Sequence, residues 1–400
     1  MKRKIKVLFD VEQLALDGLK GTGLVRVCDE LLTRLVKSEK IDIYPILTSP
    51  RGDFLAYLKA KGLDKKLKDK IVYLPHLKNT TKDVTVSNKI ESFISRLFLK
   101  RKYKKILSNY DAYFSPFSPI SPLVYQTKLK TYLIIHDIIP IKFPNGCSKK
   151  FIKRFTNWMK KANATEYFFV SNFTKNDFLS FRPEEKTKPL HIMHLGANQS
   201  FSPVKDKKIL KAVKEKYHIQ TDKYFLALSE FSERKNFVHL LKSFIAFLDK
   251  TKKEDISLVL VGRRRKGFEN ILSNVPNSLK YQDKIIQTGF ADHEDLPPLY
   301  SGATSFVYPS LYEGFGLPVL EAMQSGTPVI VSDNSSLPEV GADAVMYITG
   351  LDEAETTNAL EKIYTDKALQ KTLSKKGIQR AKNFNWDTAS QLVESVLTKE

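Results

Sequence analysis

Apolar runs and amphipathic stretches alternate along this chain, and their periods give its first description. Short runs of β-branched and aromatic residues predict strands over Ile5–Asp10, Ile41–Thr48, Ala112–Ser115 and Thr131–His136. Phe168–Ser171 and His191–His194 complete that set. Apolar positions at helical spacing predict helices over Asp29–Lys37 and Lys149–Lys161. The pattern restarts at Tyr224–Ser229, followed by a helix over Phe237–Phe247. It continues through strands at Ile256–Gly262, Ile285–Gln287, Ser305–Tyr308 and Val329–Val331. Strands alternating with helices in this way predict α/β layers around parallel sheets. The segment Gly196–Lys208 is polar, contains Pro203 and has no clear period, so a link between two units is expected there. The expected bounds are 1–195 and 196–385, with a closing segment 386–400.

At 400 residues the chain is too long for one comfortable core and suits two domains. A hydrophobic content of 42% and a charged content of 27% describe a globular protein. Two cysteines, Cys28 and Cys147, make no disulfide framework and lack metal-site spacing, which points to a reducing, cytoplasmic compartment. The basic start, Met1 to Asp10, holds only a short apolar run, read as a first strand and not as a signal peptide. No apolar stretch approaches the roughly 18 residues of a membrane span.

The formal charge of +21 is unevenly placed. Residues 1–200 hold 38 Lys+Arg against 18 Asp+Glu, and residues 201–400 hold 27 against 26. The excess therefore lies in the first half, as expected where one domain alone meets an anionic partner. Its densest segments are Lys59 to Lys70 and Lys100 to Lys105. Before the second, Ile90, Phe93, Ile94, Leu97 and Phe98 recur at helical spacing, giving an amphipathic helix with a basic end. Such a helix either faces the core with solvated lysines or lies on an anionic membrane. For the whole first half, a membrane surface or a polyanionic acceptor is the favoured partner. Nucleic acid is not, because the cations have little aromatic interleaving and no nucleic-acid motif appears.

The candidate chemistry centres on Glu313-Gly-Phe-Gly-Leu-Pro-Val-Leu-Glu321. Two carboxylates stand eight positions apart across a glycine-rich turn that enters a helix. Gly314 and Gly316 permit close backbone approach, Pro318 suits the first helical position, and Gly326 ends the helix. Strand, turn and helix N-terminus make a site for a phosphate or an anionic sugar group. The flanking carboxylates have hydroxyls as natural partners, and a nucleotide sugar carries both kinds of group.

The stretch resembles the E-x7-E signature of the retaining family 4 glycosyltransferases. The resemblance continues through Val329 to Glu339 and Ala342 to Ala344, and upstream through Thr288-Gly-Phe290, Asp295-Leu296 and Leu299 to Ala303. It implies the α/β GT-B fold, two Rossmann-like doubly wound domains facing across a cleft. The first would take the acceptor and the second a nucleoside-diphosphate sugar. By the same resemblance Glu313 holds the donor sugar's hydroxyls and Glu321 the ribose, with Gly314, Phe315, Gly316 and Leu317 lining the donor through their backbone. Lys235, in Ser229-Glu-Phe-Ser-Glu-Arg-Lys-Asn236, resembles the cation that neutralises the diphosphate, with Arg234 beside it. Cations there stabilise the departing diphosphate most in the transition state. Many members carry Gly-Arg where this chain has Ser229-Glu230, and Arg234 is the candidate replacement. His136, before Asp137 and Pro140, resembles the histidine that faces the reacting centre. Gly18 to Gly23, with Gly21, Gly23 and Arg26, resembles the glycine loop after the first strand, whose amides reach phosphates or acceptor. Arg263 to Lys266 is either near the base or a solvated cluster.

The implied reaction is transfer of a sugar to an acceptor hydroxyl with retention, by front-face departure and attack, because no nucleophile for a double displacement stands out. No Asp-x-Asp pair of the metal-binding kind stands out either, so no metal and no cofactor is expected. The expected acceptor is lipid-linked or a polyanionic glycan, used at the inner face of the cytoplasmic membrane. A nucleotide-sugar epimerase or hydrolase with the same pocket, and a non-catalytic polyanion binder, are the alternatives.

Overall fold

The computed structural model describes residues 3–17, 23–48, 54–75, 89–262, 275 and 278–399. The first unit holds β1 (Ile5–Asp10), β2 (Ile41–Leu47), β3 (Val72–Tyr73), β4 (Ala112–Ser115), β5 (Lys130–Ile135), β6 (Glu166–Phe169) and β7 (Leu190–Ile192). They form one sheet in the order β3-β2-β1-β4-β5-β6-β7, parallel throughout. The second unit holds β8 (Lys223–Leu228), β9 (Ile256–Val261), β10 (Ile285–Gly289), β11 (Ser305–Tyr308), β12 (Val329–Ser332) and β13 (Met346–Ile348). Its order is β10-β9-β8-β11-β12-β13, again parallel. Each order reverses once, between β1 and β4 and between β8 and β11, and ligands of open α/β sheets bind beyond the strand ends at such points.

Burial on both faces explains the sequence pattern. Every residue of β9 is buried, as is every residue of β4, β11 and β12, and parallel strands covered by helices read as continuous apolar runs. β3 and β13 have two and three residues and carry no period, so the pattern did not predict them. Helix Gly23–Leu35 begins before the predicted Asp29, because Val25, Val27 and Cys28 already face the core.

The link after β7 and the closing helix meet. A Cβ on Gly196 would lie 2.7 Å from the Trp386 amide nitrogen. Helix Trp386–Leu397 starts at Asn385, whose side chain accepts from the Thr388 amide at 2.7 Å. It packs on helix Gly23–Leu35 of the first unit. Arg34 donates to Asp387 at 2.7 Å and Ser38 to Glu394 at 2.6 Å. Among the described residues no helix is long and apolar enough to cross a membrane.

Candidate active site

Glu313 follows β11 and is buried, at 8% exposure, with Lys235 buried beside it. Its Oε1 accepts from Lys235 Nζ at 2.6 Å, Arg234 Nη1 at 2.8 Å, Tyr308 Oη at 3.0 Å and Ser310 Oγ at 2.5 Å. All four bonds fall on one oxygen. Burial alone would raise the Glu313 carboxyl, but Lys235 and Arg234 overcome it and hold it at about 2. Burial pulls the Lys235 ammonium below its ordinary value against the attraction of Glu313. Burial opposes the Arg234 charge as well, and there Glu313 more than restores it. Burial and Glu313 push the Tyr308 hydroxyl far up, so it remains a donor. The cluster brings two cations onto one carboxylate oxygen, with Asp137 and Glu230 acting on the same cations from further off. Lys235 and Arg234 belong to a one-turn 3-10 segment after β8, closed by Asn236 in the left-handed region at φ 59°. Arg234 also bonds the Tyr312 carbonyl.

His136 follows β5 of the other sheet and closes on this cluster. Its Nε2 lies 2.7 Å from the Pro116 carbonyl oxygen. A carbonyl can only accept, so Nε2 carries the proton and Nδ1 is the acceptor of the neutral ring. Burial lowers the imidazole to about 4, against the pull of the Pro116 carbonyl. Gly314 presses directly on this residue: a Cβ there would lie 2.1 Å from the His136 carbonyl oxygen. The Gly314 carbonyl accepts from Ser171 Oγ at 2.7 Å and Thr174 Oγ1 at 2.9 Å, both of the first unit. Gly314 therefore serves a contact between the units, which is the close approach its position suggested. Asp137, beside His136, is raised by burial, with Arg234 among the charges opposing that rise.

The turn then enters helix Leu317–Gln324, with Gly316 at its cap in the left-handed region at φ 108°. Leu317 is the first helical residue and Pro318 the second, one place later than the sequence suggested. No side chain caps this helix. Glu321 is 4% exposed and pairs with Arg26 from the first unit, while the Tyr300 hydroxyl lies 3.3 Å from its other oxygen. Arg26 Nη2 also lies 3.3 Å from His293 Nε2. A Cβ on Gly23 would sit 3.4 Å from Leu317 Cδ1, so the end of the glycine loop faces the second unit's turn. Phe315 is buried with its ring against His194 and Phe384, and its carbonyl accepts from Ser336.

The structure thus gathers Glu313, Lys235 and Arg234 into one cluster, sets His136 against Gly314, and places Glu321 on the next helix. Gly21 and Arg263 to Lys266 lie outside the described residues. Several contributors were not assigned from sequence. In sequence Tyr308 reads as the end of a buried strand, and Ser310 beyond it carries no signal. Arg26 belongs in sequence only to its glycine loop, yet it reaches Glu321 across 295 residues. Glu339 stands out in sequence only as part of the family pattern. Its carboxylate accepts from the Asn172 amide, with oxygens at 2.9 and 2.8 Å, and from His194 Nε2 at 2.7 Å.

Residues 210–380 match the family described as glycosyl transferases group 1. The chain is 35% identical to O-antigen chain mannosyltransferase B of Escherichia coli over 179 residues, 44% of this chain and 46% of that protein. The match thus spans less than half the length of that relative. It is 25% identical to O-antigen chain mannosyltransferase RfbU of Salmonella typhimurium over 344 residues, 86% of this chain and 87% of that one. Among solved structures, Anabaena HepE in complex with UDP superposes with a TM-score of 0.72 at 14% identity, covering 98% of this chain and 99% of the other. At that identity the likeness concerns the fold, and it extends over both units. The two switch-point sheets and the superposition over both units agree on the GT-B fold, and residues 210–380, which hold the Glu313 turn, are similar to the group 1 glycosyl transferases.

Proposed function

We propose that the protein is a retaining glycosyltransferase that moves a sugar from a nucleoside-diphosphate donor to an acceptor hydroxyl in cell-surface polysaccharide or glycolipid synthesis. The observation that carries this reading is the buried Glu313–Lys235–Arg234 cluster, whose neighbour Gly314 abuts the backbone of His136 from the other unit. Lys235 and Arg234 hold the diphosphate and stabilise the charge that grows on it as the glycosidic bond breaks. Glu313, ionised and bonded through Oε1, offers Oε2 to the donor sugar's hydroxyls. Glu321 takes the ribose hydroxyls in exchange for part of its contact with Arg26. His136 accepts at Nδ1 from a sugar hydroxyl. The acceptor proton passes to the leaving phosphate as attack occurs on the face from which that phosphate departs. The two cations supply the positive charge that a metal supplies elsewhere, so transfer proceeds without one.

The names of the two O-antigen relatives favour mannose as the sugar and a lipopolysaccharide-type glycan as the acceptor. The acceptor is lipid-linked and meets the enzyme at the inner face of the cytoplasmic membrane. The basic first unit supports that placement. Helix Lys149–Lys161 carries six cations and no acid, with Phe151 39% exposed among them. The side chains of Ile90, Phe93, Ile94 and Leu97 lie outside the described residues, while Phe98 on the same helix is 66% exposed.

A thermal-shift screen of GDP-mannose, UDP-glucose, UDP-galactose, UDP-GlcNAc and dTDP-rhamnose, with and without EDTA, tests the donor reading. The expected result is stabilisation by one donor, insensitive to EDTA and lost in Glu321→Ala. Absence of any shift, or a shift that survives in the variant, contradicts the assigned pocket.

A further inference from the structure

Helix Asn172–Phe181 of the first unit begins at Ser171, whose side chain caps it by accepting from the Thr174 amide. Two groups of the second unit converge on that same helix end. The Gly314 carbonyl takes the Ser171 and Thr174 hydroxyls, at 2.7 and 2.9 Å. The Glu339 carboxylate takes the Asn172 amide, the Asn172 side-chain amide at 2.9 Å and the Phe173 amide at 3.3 Å. A carboxylate at a helix N-terminus meets free N–H groups and the positive end of the dipole, a directional and favourable contact. His194 donates to the same carboxylate at 2.7 Å, so the first unit grips it from two elements. On the second unit's side Glu339 is held as firmly: Arg380 donates to the carbonyls of Glu339 at 2.6 Å and Val340 at 3.0 Å. Ser336, which precedes this helix Leu337–Gly341, donates to the carbonyls of Glu313 and Phe315. The segment bearing Glu339 and the loop bearing Glu313 are therefore one connected body.

We propose that Glu339 is a positioning residue: it docks the second unit on the end of helix Asn172–Phe181 and so fixes the separation between His136 and Glu313. The proposal rests on the reading of those two residues as facing the donor sugar. Glu339 itself touches neither substrate nor reacting atoms. Its effect reaches the reaction through Gly314, whose carbonyl shares the docking point and whose Cα abuts His136.

The experiment compares the unchanged chain with Glu339→Ala, Glu339→Gln and Thr174→Val, each first confirmed as folded by its thermal transition. Turnover is measured with GDP-mannose, or with whichever donor the screen selects. In Glu339→Ala, kcat is expected to fall about a hundredfold, since displacement by about 1 Å at a reacting centre has that effect. The donor KM is expected to stay within about threefold, because Lys235, Arg234, Glu313 and Glu321 all belong to the second unit. Glu339→Gln keeps an oxygen for the Asn172 amide and is expected to recover much of the rate. Thr174→Val removes one donor to Gly314 and is expected to shift kcat the same way. A second readout does not depend on activity. Spin labels at Lys153→Cys and Lys375→Cys, with Cys147→Ser, report the distance between units. Glu339→Ala is expected to shift or broaden that distribution. A distribution superimposable on that of the unchanged chain overturns the proposal, as does a kcat within twofold in a folded variant. If no donor is turned over by the unchanged chain, the functional reading falls, and the distance measurement still decides the docking role.

Discussion

Lys235 Nζ lies 2.6 Å from Glu313 Oε1, and both side chains are buried. Removing one member of a buried pair leaves an uncompensated charge, which costs about 3–5 kcal/mol. Glu313→Gln is therefore expected to lower the thermal midpoint of the second unit as well as abolish turnover. Lys235→Met leaves Glu313 paired with Arg234, so it is expected to lower the midpoint less while still abolishing turnover. Combined, the two changes should cost less than the sum of their separate effects, because contacting charges are non-additive. Calorimetric unfolding of the two single variants and the double variant checks this. Strict additivity would show that the pair is not coupled.

Gly314→Ala tests the contact between the units. The new methyl would lie 2.1 Å from the His136 carbonyl oxygen, a backbone atom that cannot swing aside. The units must separate locally, so the rate should fall about a hundredfold. The variant's donor affinity, read by calorimetry, should change little, because the second unit's own cluster is intact. Wild-type turnover in Gly314→Ala would mean that His136 and Gly314 are not apposed during the reaction.

Acid should act on His136 before it acts on Glu313. The folded-state imidazole sits at about 4 against an ordinary 6.5. As pH falls below 6.5 the unfolded chain takes up a proton that the folded chain refuses, so stability declines from there down to about pH 4. The loss from this residue is at most about 3 kcal/mol. Glu313, ionised down to about 2, contributes its own loss only below 4.5. If transfer requires the neutral ring, kcat between pH 4 and 8 should hold until an acid limb near 4. An acid limb near 6.5 that His136→Gln removes would contradict the assigned environment.

The basic face of the first unit should bind anionic bilayers. Co-sedimentation with vesicles containing phosphatidylglycerol is expected at low salt and should weaken as salt shortens the screening length to about 10 Å and below. Charge reversal at Lys153 and Arg154, exposed on helix Lys149–Lys161, should reduce binding by about tenfold or more. Equal binding to neutral vesicles, or none to either, would remove the membrane from the account.

Much of this organisation was legible in the sequence because parallel strands covered on both faces leave unbroken apolar runs. Ile256–Val261 and Val329–Ser332 are such runs, and β3 and β13 are too short to leave one. The turn from Glu313 to Glu321 was legible because turn, helix entry and carboxylate spacing are local, whereas Lys235, 78 residues from Glu313, was marked only by the resemblance of its own loop. Arg26 on Glu321 and Glu339 on Asn172 were not legible, since those partners are 295 and 167 residues apart and only the packing of the two units joins them. Tyr308 shows a different limit. In sequence it is one more aromatic in a buried strand, and its hydroxyl becomes a Glu313 ligand only because the strand ends there.

The most direct test of glycosyl transfer is release of nucleoside diphosphate from the selected donor with and without a lipid-linked glycan acceptor, with the product's anomeric configuration read by NMR. The account predicts release that depends on the acceptor, a product with the donor's configuration, and loss of both in Glu313→Gln. Release at the same rate without acceptor, or a product of inverted configuration, would contradict it.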